Sequence, residues 1–401
     1  MSQPDCSLAS LTRAAAAQQV DISPQGLDQR FTESAATFLQ QVVETAIGVV
    51  IEADQRTSWA LPRRFTEVYV HDSTQIRLPD ALASIWQGTG GGHNPEKSTA
   101  ALKVDLMYGL NSGRAHITLL PGRHADNRSP LLDEAVEAGS LHLKDLGYFK
   151  LERMQAQADR GEYFLSRLLP GTLLFDTPTS QQAIDLEALL MQFNHQGVLN
   201  AEQFVCVGTQ ARLPARLIMV RLSAASAARQ RAALKEKSAR HGRTASEKNL
   251  ALCDWWLLIT NVPAELLSPA EAANLYGARW QIELMFKLWK SQSGLARSRS
   301  ANQWRVLCEV YAKLLLILIE HWILLTGLWA ISQRSLTKGV QAIQEQAANL
   351  AACVGNRSRL ISCLKCIANI LTSSGCMQNK RKKMPNNWLR MGKIDATIGL
   401  S

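Results

Sequence analysis

The 401-residue chain carries 46% apolar and 19% charged residues, which fits a globular protein with a sizeable core rather than a disordered or fibrous one. Its 44 Lys and Arg exceed its 34 Asp and Glu, and the net charge of +10 suits a polyanionic partner. The opening MSQPDCSLASLTRAAAAQQV has no basic-then-apolar leader pattern and the 8 cysteines are scattered, so the cytoplasm is the expected compartment.

Residues 1–60 read as helices. Ser10-Leu11-Thr12 is a start signal for an Ala-rich helix, and after a break at Val20–Ile22 the pair Ser23-Pro24 opens a second one. Leu11, Ala15, Val20, Ile22, Leu27 and Phe31 are the expected inward residues, with Gln25, Gln29 and Arg30 outward, a helix-turn-helix-like pattern equally open to any small helical subdomain. From residue 65 the period becomes strand-like. FTEVYVHDSTQIRL leads into an extended run ending near Asp72, and TAALKVDLMYGL and GRAHITLLPG follow at hairpin spacing around Asn111-Ser112-Gly113. RSPLLDEAVEAG reads as a helix closed by Gly139. SLHLKDLGYF reads as a short strand ending near Asp145, KLERMQAQADRG as a helix and YFLSRLLPGTLLFD as a strand pair.

Residues 176–250 interrupt this scheme with two β-rich runs, QFVCVGTQ and ARLIMVRLS, and an Ala-, Arg- and Lys-rich helix. Ten Lys or Arg against two Glu between Arg212 and Lys248 make a solvated helix or a phosphate-facing surface. DWWLLITNV resumes the strands, and Ser268-Pro269-Ala270-Glu271 then starts a helix expected to run through Lys290. The apolar run 310–330 is broken by Lys313, Glu320 and His321, so a buried helix is expected and not a membrane span. Cys353, Cys363, Cys366 and Cys376 contain one Cys-x2-Cys without an accompanying His, and small buried thiols are expected in preference to zinc.

The stretch ANLYGARWQIELMFKLWKSQ aligns Tyr276, Arg279, Glu283 and Lys290 within about 60° on a helical wheel. A solvated face with a Glu–Arg pair explains them blandly. A carboxylate that holds a metal, bracketed by cations that hold phosphate, explains them chemically. Asp72 and Asp145, at strand positions earlier in the chain, are the acids that such a site needs as partners.

The spacing Y-x2-R-x3-E-x6-K resembles the signature of bacterial DDE transposases of the insertion sequence 4 group, and arises by chance roughly once in 400 chains of this length. HDST, LKDLGYF and YFLSRL are similar to that family's surroundings for its two aspartates, and the resemblance runs from about residue 25 to 390. It implies an α/β fold: a ribonuclease H-like catalytic core with a β-rich insertion, flanked by helical N- and C-terminal regions. The corresponding segments are 1–60 (DNA-end-binding), 61–175 (first part of the core), 176–250 (insertion), 251–300 (remainder of the core) and 301–401 (helical, with the basic tail NKRKKMPNNWL).

The resemblance further implies that Asp72, Asp145 and Glu283 bind two Mg²⁺ ions, with Mn²⁺ as a substitute. Tyr276, Arg279 and Lys290 would contact DNA phosphates. Trp256 would stack on a flipped base, unless it is a core aromatic or its neighbour Trp255 has that role. The implied partners are double-stranded DNA (terminal inverted repeats and target) and a second copy in a synaptic homodimer. The expected reaction is cut-and-paste transposition. Its rivals are a non-catalytic DNA-binding protein, which has no use for three acids, and a ribonuclease H-like nuclease that does not join ends.

Overall fold

The computed structural model describes residues 7–47, 61–90, 98–240, 242–277, 298, 300–327 and 335–377. Among them, strands β1 (Val68–Arg77), β2 (Ala101–Gly109) and β3 (Ala115–Pro121) form an antiparallel meander. β4 (Leu141–Lys144) runs parallel to β1, and β5 (Tyr163–Arg167) parallel to β4. The short β6 (Leu174–Phe175) lies at the far edge of the sheet, followed inward by β7 (Asn200–Val207), β8 (Leu213–Arg221) and β9 (Trp255–Thr260), which is antiparallel to β5. The order across this single sheet is β3-β2-β1-β4-β5-β9-β8-β7-β6.

Side-chain alternation divides the sheet into two buried faces. One face carries Val68, Val70, Ile76, Leu102, Val104, Leu106, Leu141, Leu143, Leu165, Ile218, Val220 and Leu258. The other carries Phe164, Leu217, Met219, Trp255 and Ile259. Burial on both sides explains why these strands read as nearly continuous apolar runs.

The N-terminal helices are α1 (Leu8–Ala16), α2 (Pro24–Asp28) and α3 (Glu33–Ile47). Around the parallel strands and the basic segment lie α4 (Leu151–Asp159), α5 (Leu186–His195), α6 (Ala224–Arg240) and α7 (Glu247–Leu252). α8 (Pro269–Gly277) and α9 (Gln303–Gly327) cover the first face together with α3, and α10 (Leu336–Glu345), α11 (Ala347–Cys353) and α12 (Arg357–Thr372) follow. Asn302 accepts from the amides of Trp304 and Arg305 and so caps the long apolar helix α9. No helix among the described residues is long and apolar enough to cross a membrane.

Several elements differ from their sequence reading. α1 starts at Leu8 because Ser7 caps it, three residues before the Ser10 signal, and Val20 is 53% exposed instead of inward. The Ser23 cap and first-turn Pro24 stand as expected, but α2 has only five residues. β1 continues past Asp72 to Arg77, since Thr74 and Ile76 keep the buried alternation and pair with Val104 and Leu102. RSPLLDEAVEAG forms a 3-10 turn at Pro130–Leu132, just after another at Asp126–Arg128, and no α-helix. Pro130 forces Ser129 out of the helical region, while Gly139 adopts its positive φ of 81° without a helix to close.

YFLSRLLPGTLLFD yields two strands that never pair with each other: β5 joins β4 and β9, and β6 joins β7. The β-rich segment likewise extends the same sheet through β9 and does not build a separate one. Cys363 and Cys376 pack in a small apolar cluster with α9, α10 and α12, and no group of three metal-binding side chains occurs among the described residues.

Arg216 ties the added strands to the entry of α8. It is 3% exposed, donates to the carbonyls of Val262 (2.6 Å) and Leu267 (3.1 Å), and pairs with Glu202. Arg216→Ala strands those buried carbonyls and is expected to cost about 2–4 kcal/mol, given about 1.5–3 kcal/mol for a charge-assisted hydrogen bond. Urea denaturation checks this; a loss below about 1 kcal/mol would mean that solvent replaces the guanidinium.

Candidate active site

The site starts from one register. Val68, Tyr69 and Val70 of β1 lie beside Leu141, His142 and Leu143 of β4. The same offset continued two residues further sets Asp72 beside Asp145. Asp72 shares the strand face of Val68 and Val70, and Asp145 that of Leu141 and Leu143. Asp72 is on β1 and Asp145 is the extended residue that follows the end of β4, so this continued register puts the two half-buried aspartates on one side of neighbouring segments, with the strands themselves about 4.8 Å apart. The Ser73 amide donates to Asp72 Oδ1 at 2.8 Å, and Asp145 opens the 3-10 turn Leu146–Tyr148.

The register also exposes a residue that the sequence reading passed over. Lys144 lies beside Ser166, so Asp145 is followed across the sheet by Arg167, the last residue of β5, on the same face as Tyr163 and Leu165. Arg167 is half-buried and makes no ion pair among the described residues. Linear spacing carries no signal for it, because 22 residues separate it from Asp145 and only strand pairing makes them neighbours.

The tryptophan pair separates by strand parity. Trp256 shares the face of Leu258 and the acids, whereas Trp255 points to the opposite core, is 3% exposed and packs near Phe193. Because Arg167 lies beside Leu258 and β9 is antiparallel to β5, Trp256 sits beyond the end of β5 at the acid end of the sheet. Its ring meets Tyr276 edge-to-face at 5.5 Å. Tyr276 is 2% exposed with its hydroxyl shielded from solvent, so a phosphate could reach it only if the covering groups moved.

The start of α8 is held twice. Ser268 and Glu271 form the expected reciprocal cap, with the Ser268 amide donating to Glu271 Oε2 at 2.9 Å. Arg64 then binds Glu271 with both nitrogens, at 2.8 and 3.1 Å, and donates to the Leu266 carbonyl. These contacts, with burial opposing, hold the Glu271 carboxyl below its ordinary range. Arg279, Glu283 and Lys290 lie outside the described residues.

Behind the acids the opposite face is polar. His71 and His142 are hydrogen-bonded at 2.9 Å, His142 reaches Glu162 at 3.0 Å, and Arg160 completes the line to Glu162 at 2.6 Å. Burial lowers both histidines' basicity, so a neutral chain with one shared tautomer fits the contacts. Burial also raises the Asp105 carboxyl, opposed by hydrogen bonds from Ser129 and Tyr148. The chemistry available at the front is hard-oxygen ligation. Two carboxylates suit Mg²⁺, which takes few protein carboxylates and completes its shell with waters and phosphate oxygens.

Residues 63–319 match the family model described as "Transposase DDE domain". The chain is 28% identical over 383 residues to the transposase for insertion sequence element IS231F of Bacillus thuringiensis subsp. israelensis, covering 90% of this chain and 79% of that protein. It is 29% identical over 315 residues to the transposase for IS231B of Bacillus thuringiensis subsp. berliner, covering 74% of this chain and 65% of that one. The transposase for IS1151 of Clostridium perfringens is 24% identical over 318 residues, which is 76% of this chain and 66% of that protein.

Lys144, fully buried beside this site, provides a pH test. Burial pushes its ammonium down to about 7 from 10.5, so between those values the unfolded chain binds more protons than the folded one. Stability should therefore rise as pH climbs from about 7 towards 10.5. Lys144→Met should flatten that rise and stabilise the protein at neutral pH. Melting temperatures across the interval decide it, and parallel curves for the two proteins would contradict a neutral buried amine.

Proposed function

This chain belongs to the transposase DDE domain family, and on that premise we propose that it cuts DNA at the ends of an insertion sequence and joins them to a target. The observation that carries the reading is the pair Asp72 and Asp145, half-buried on one face of adjacent parallel strands. The strand order β3-β2-β1-β4-β5, antiparallel and then parallel, fits the ribonuclease H-like core implied by the resemblance to the insertion sequence 4 group. The pairing of β9 with β5 and β8 supports reading the added segment as an extension of that core.

Asp72 and Asp145 supply two carboxylates to a divalent metal pair, and Glu283 supplies the third. Two Mg²⁺ ions held there, or Mn²⁺ in their place, would activate a water or 3′-hydroxyl and stabilise the departing oxygen. Arg167, beside Asp145, faces the position of the scissile phosphate, and Arg279 and Lys290 add further phosphate contacts. Trp256 offers a stacking platform at the acid end of the sheet, with Tyr276 bracing it from below.

α6 begins three residues after the β8 end that pairs with Trp255 and Trp256, and its Arg- and Lys-rich sequence suits a phosphate-facing role next to the acid end of the sheet. Gln25, Gln29 and Arg30, all exposed around the short α2, are the residues through which the N-terminal helices would read inverted repeats. Cutting two ends together calls for a homodimer on DNA.

Asp72→Asn and Asp145→Asn each remove one negative charge without changing shape. Each is expected to abolish Mg²⁺-dependent nicking of the element's ends while retaining their binding in a gel-shift assay. The double variant should be no worse, since members of one metal cluster are not additive. Near-normal nicking by either single variant would sink the assignment of that residue.

Stacking on an aromatic platform is worth about 1–3 kcal/mol per base. Trp256→Ala should therefore spare the first nick and slow the later step that needs a base out of the stack, with partial rescue by an abasic nucleotide. If nicking, later steps and melting temperature all fall together, Trp256 is a core residue and nothing more.

A further inference from the structure

The acids' own backbone segments are gripped from behind by two other carboxylates. Asp105, on β2, lies directly opposite Ser73 and is 1% exposed. Its Oδ1 accepts from the Tyr148 hydroxyl at 2.5 Å, and its Oδ2 accepts from Ser129, which also receives the Leu131 amide. Tyr148 is the last residue of the 3-10 turn that Asp145 opens, and its amide donates to the Asp145 carbonyl at 3.0 Å. Asp105 therefore fixes the far end of a four-residue loop whose near end is Asp145.

Asp126 does the same for both strands at once. Its Oδ1 accepts from Ser73 Oγ at 2.8 Å, one residue after Asp72, and from Lys103 Nζ at 2.5 Å. Lys103, 4% exposed, is held in turn by the His124 carbonyl. Asp126 Oδ2 also abuts Gly147, in the middle of the Asp145 turn: a Cβ at Gly147 would lie 3.0 Å from that oxygen. One carboxylate thus touches the residue after Asp72 and the glycine two after Asp145.

We propose that Asp105 and Asp126 are positioning residues that set the separation of Asp72 and Asp145, through Tyr148, Ser73 and Gly147. They touch neither DNA nor metal. Two segments 73 residues apart in sequence, joined by a short parallel pairing and the His71–His142 hydrogen bond, both of which end before the acids, need a further restraint to present carboxylates at one metal-binding distance. The rear carboxylates supply it from the opposite face of the sheet. The proposal rests on the metal-binding reading of Asp72 and Asp145.

The test is Mn²⁺ binding by the full-length protein, followed by electron paramagnetic resonance of the free ion, which requires no turnover. Asp145→Asn is the reference: if it leaves Mn²⁺ binding unchanged, the metal reading itself fails and takes this proposal with it. With that reference weakened, Tyr148→Phe and Asp126→Asn should each raise the half-saturating Mn²⁺ concentration about tenfold, the lower end for groups that orient metal ligands. Tyr148→Phe leaves Asp105 with a single partner and so threatens folding. The double variant Tyr148→Phe/Asp105→Asn removes that buried charge and should restore the melting temperature without restoring Mn²⁺ affinity. Recovery of affinity together with stability, or unchanged affinity in the single variants, would overturn positioning while leaving the metal site standing.

Discussion

Parallel pairing of Val68–Val70 with Leu141–Leu143 is the contact on which the candidate site depends. Strand side chains alternate, so a slip of one residue would turn Asp145 to the opposite face from Asp72. The register is protected because both strands are buried on both sides. Val68, Val70, Leu141 and Leu143 fill the helix-covered core, and His71 and His142 are locked to each other on the reverse. A slip would drive imidazoles into an apolar core and apolar side chains into a hydrogen-bonded line, and each burial of an unpaired polar group costs a kcal/mol or more.

The reverse face shows how a charged site is supported without a large apolar contact. His71, His142, Glu162 and Arg160 form one connected line, Ser73, Asp126 and Lys103 form a second cluster, and Tyr148, Asp105 and Ser129 form a third. Buried polar networks of this kind hold geometry when their members are satisfied. His71 Nδ1 and Lys144 Nζ are exceptions, since neither has a hydrogen-bond partner among the described residues and burial favours the neutral form of both.

The helix after β9 is fastened by side chains remote in sequence. Arg64, from the segment before β1, and Arg216, from β8, both end on carbonyls just ahead of α8. Its direction away from the sheet is therefore set by residues about 200 and 50 positions earlier, in addition to the local Ser268–Glu271 cap. This arrangement also explains why a strand-rich segment can be placed between the second acid and that helix: the added strands continue the sheet and deliver Arg216 to the helix start.

Local signals determined much of this protein directly from its sequence. Short β-rich apolar runs marked β2, β3, β7, β8 and β9, Asn111-Ser112-Gly113 marked the β2–β3 turn, and Ser23-Pro24 and Ser268-Pro269 marked two helix starts, because these features depend on neighbouring residues alone. The Y-x2-R-x3-E-x6-K spacing prompted the resemblance to a group of DDE transposases, and the match over residues 63–319 supports the transposase DDE domain family. Tertiary structure alone decided what depends on partners far apart in the chain. Strand pairing brought Arg167 beside Asp145, parity put Trp256 on the acid face and Trp255 on the other, and the sheet separated β5 from the β6 strand that follows it. The absence of the helix expected over 128–139 belongs to the same class, because Ser129 and the preceding Asp126 bond across to Asp105 and Ser73.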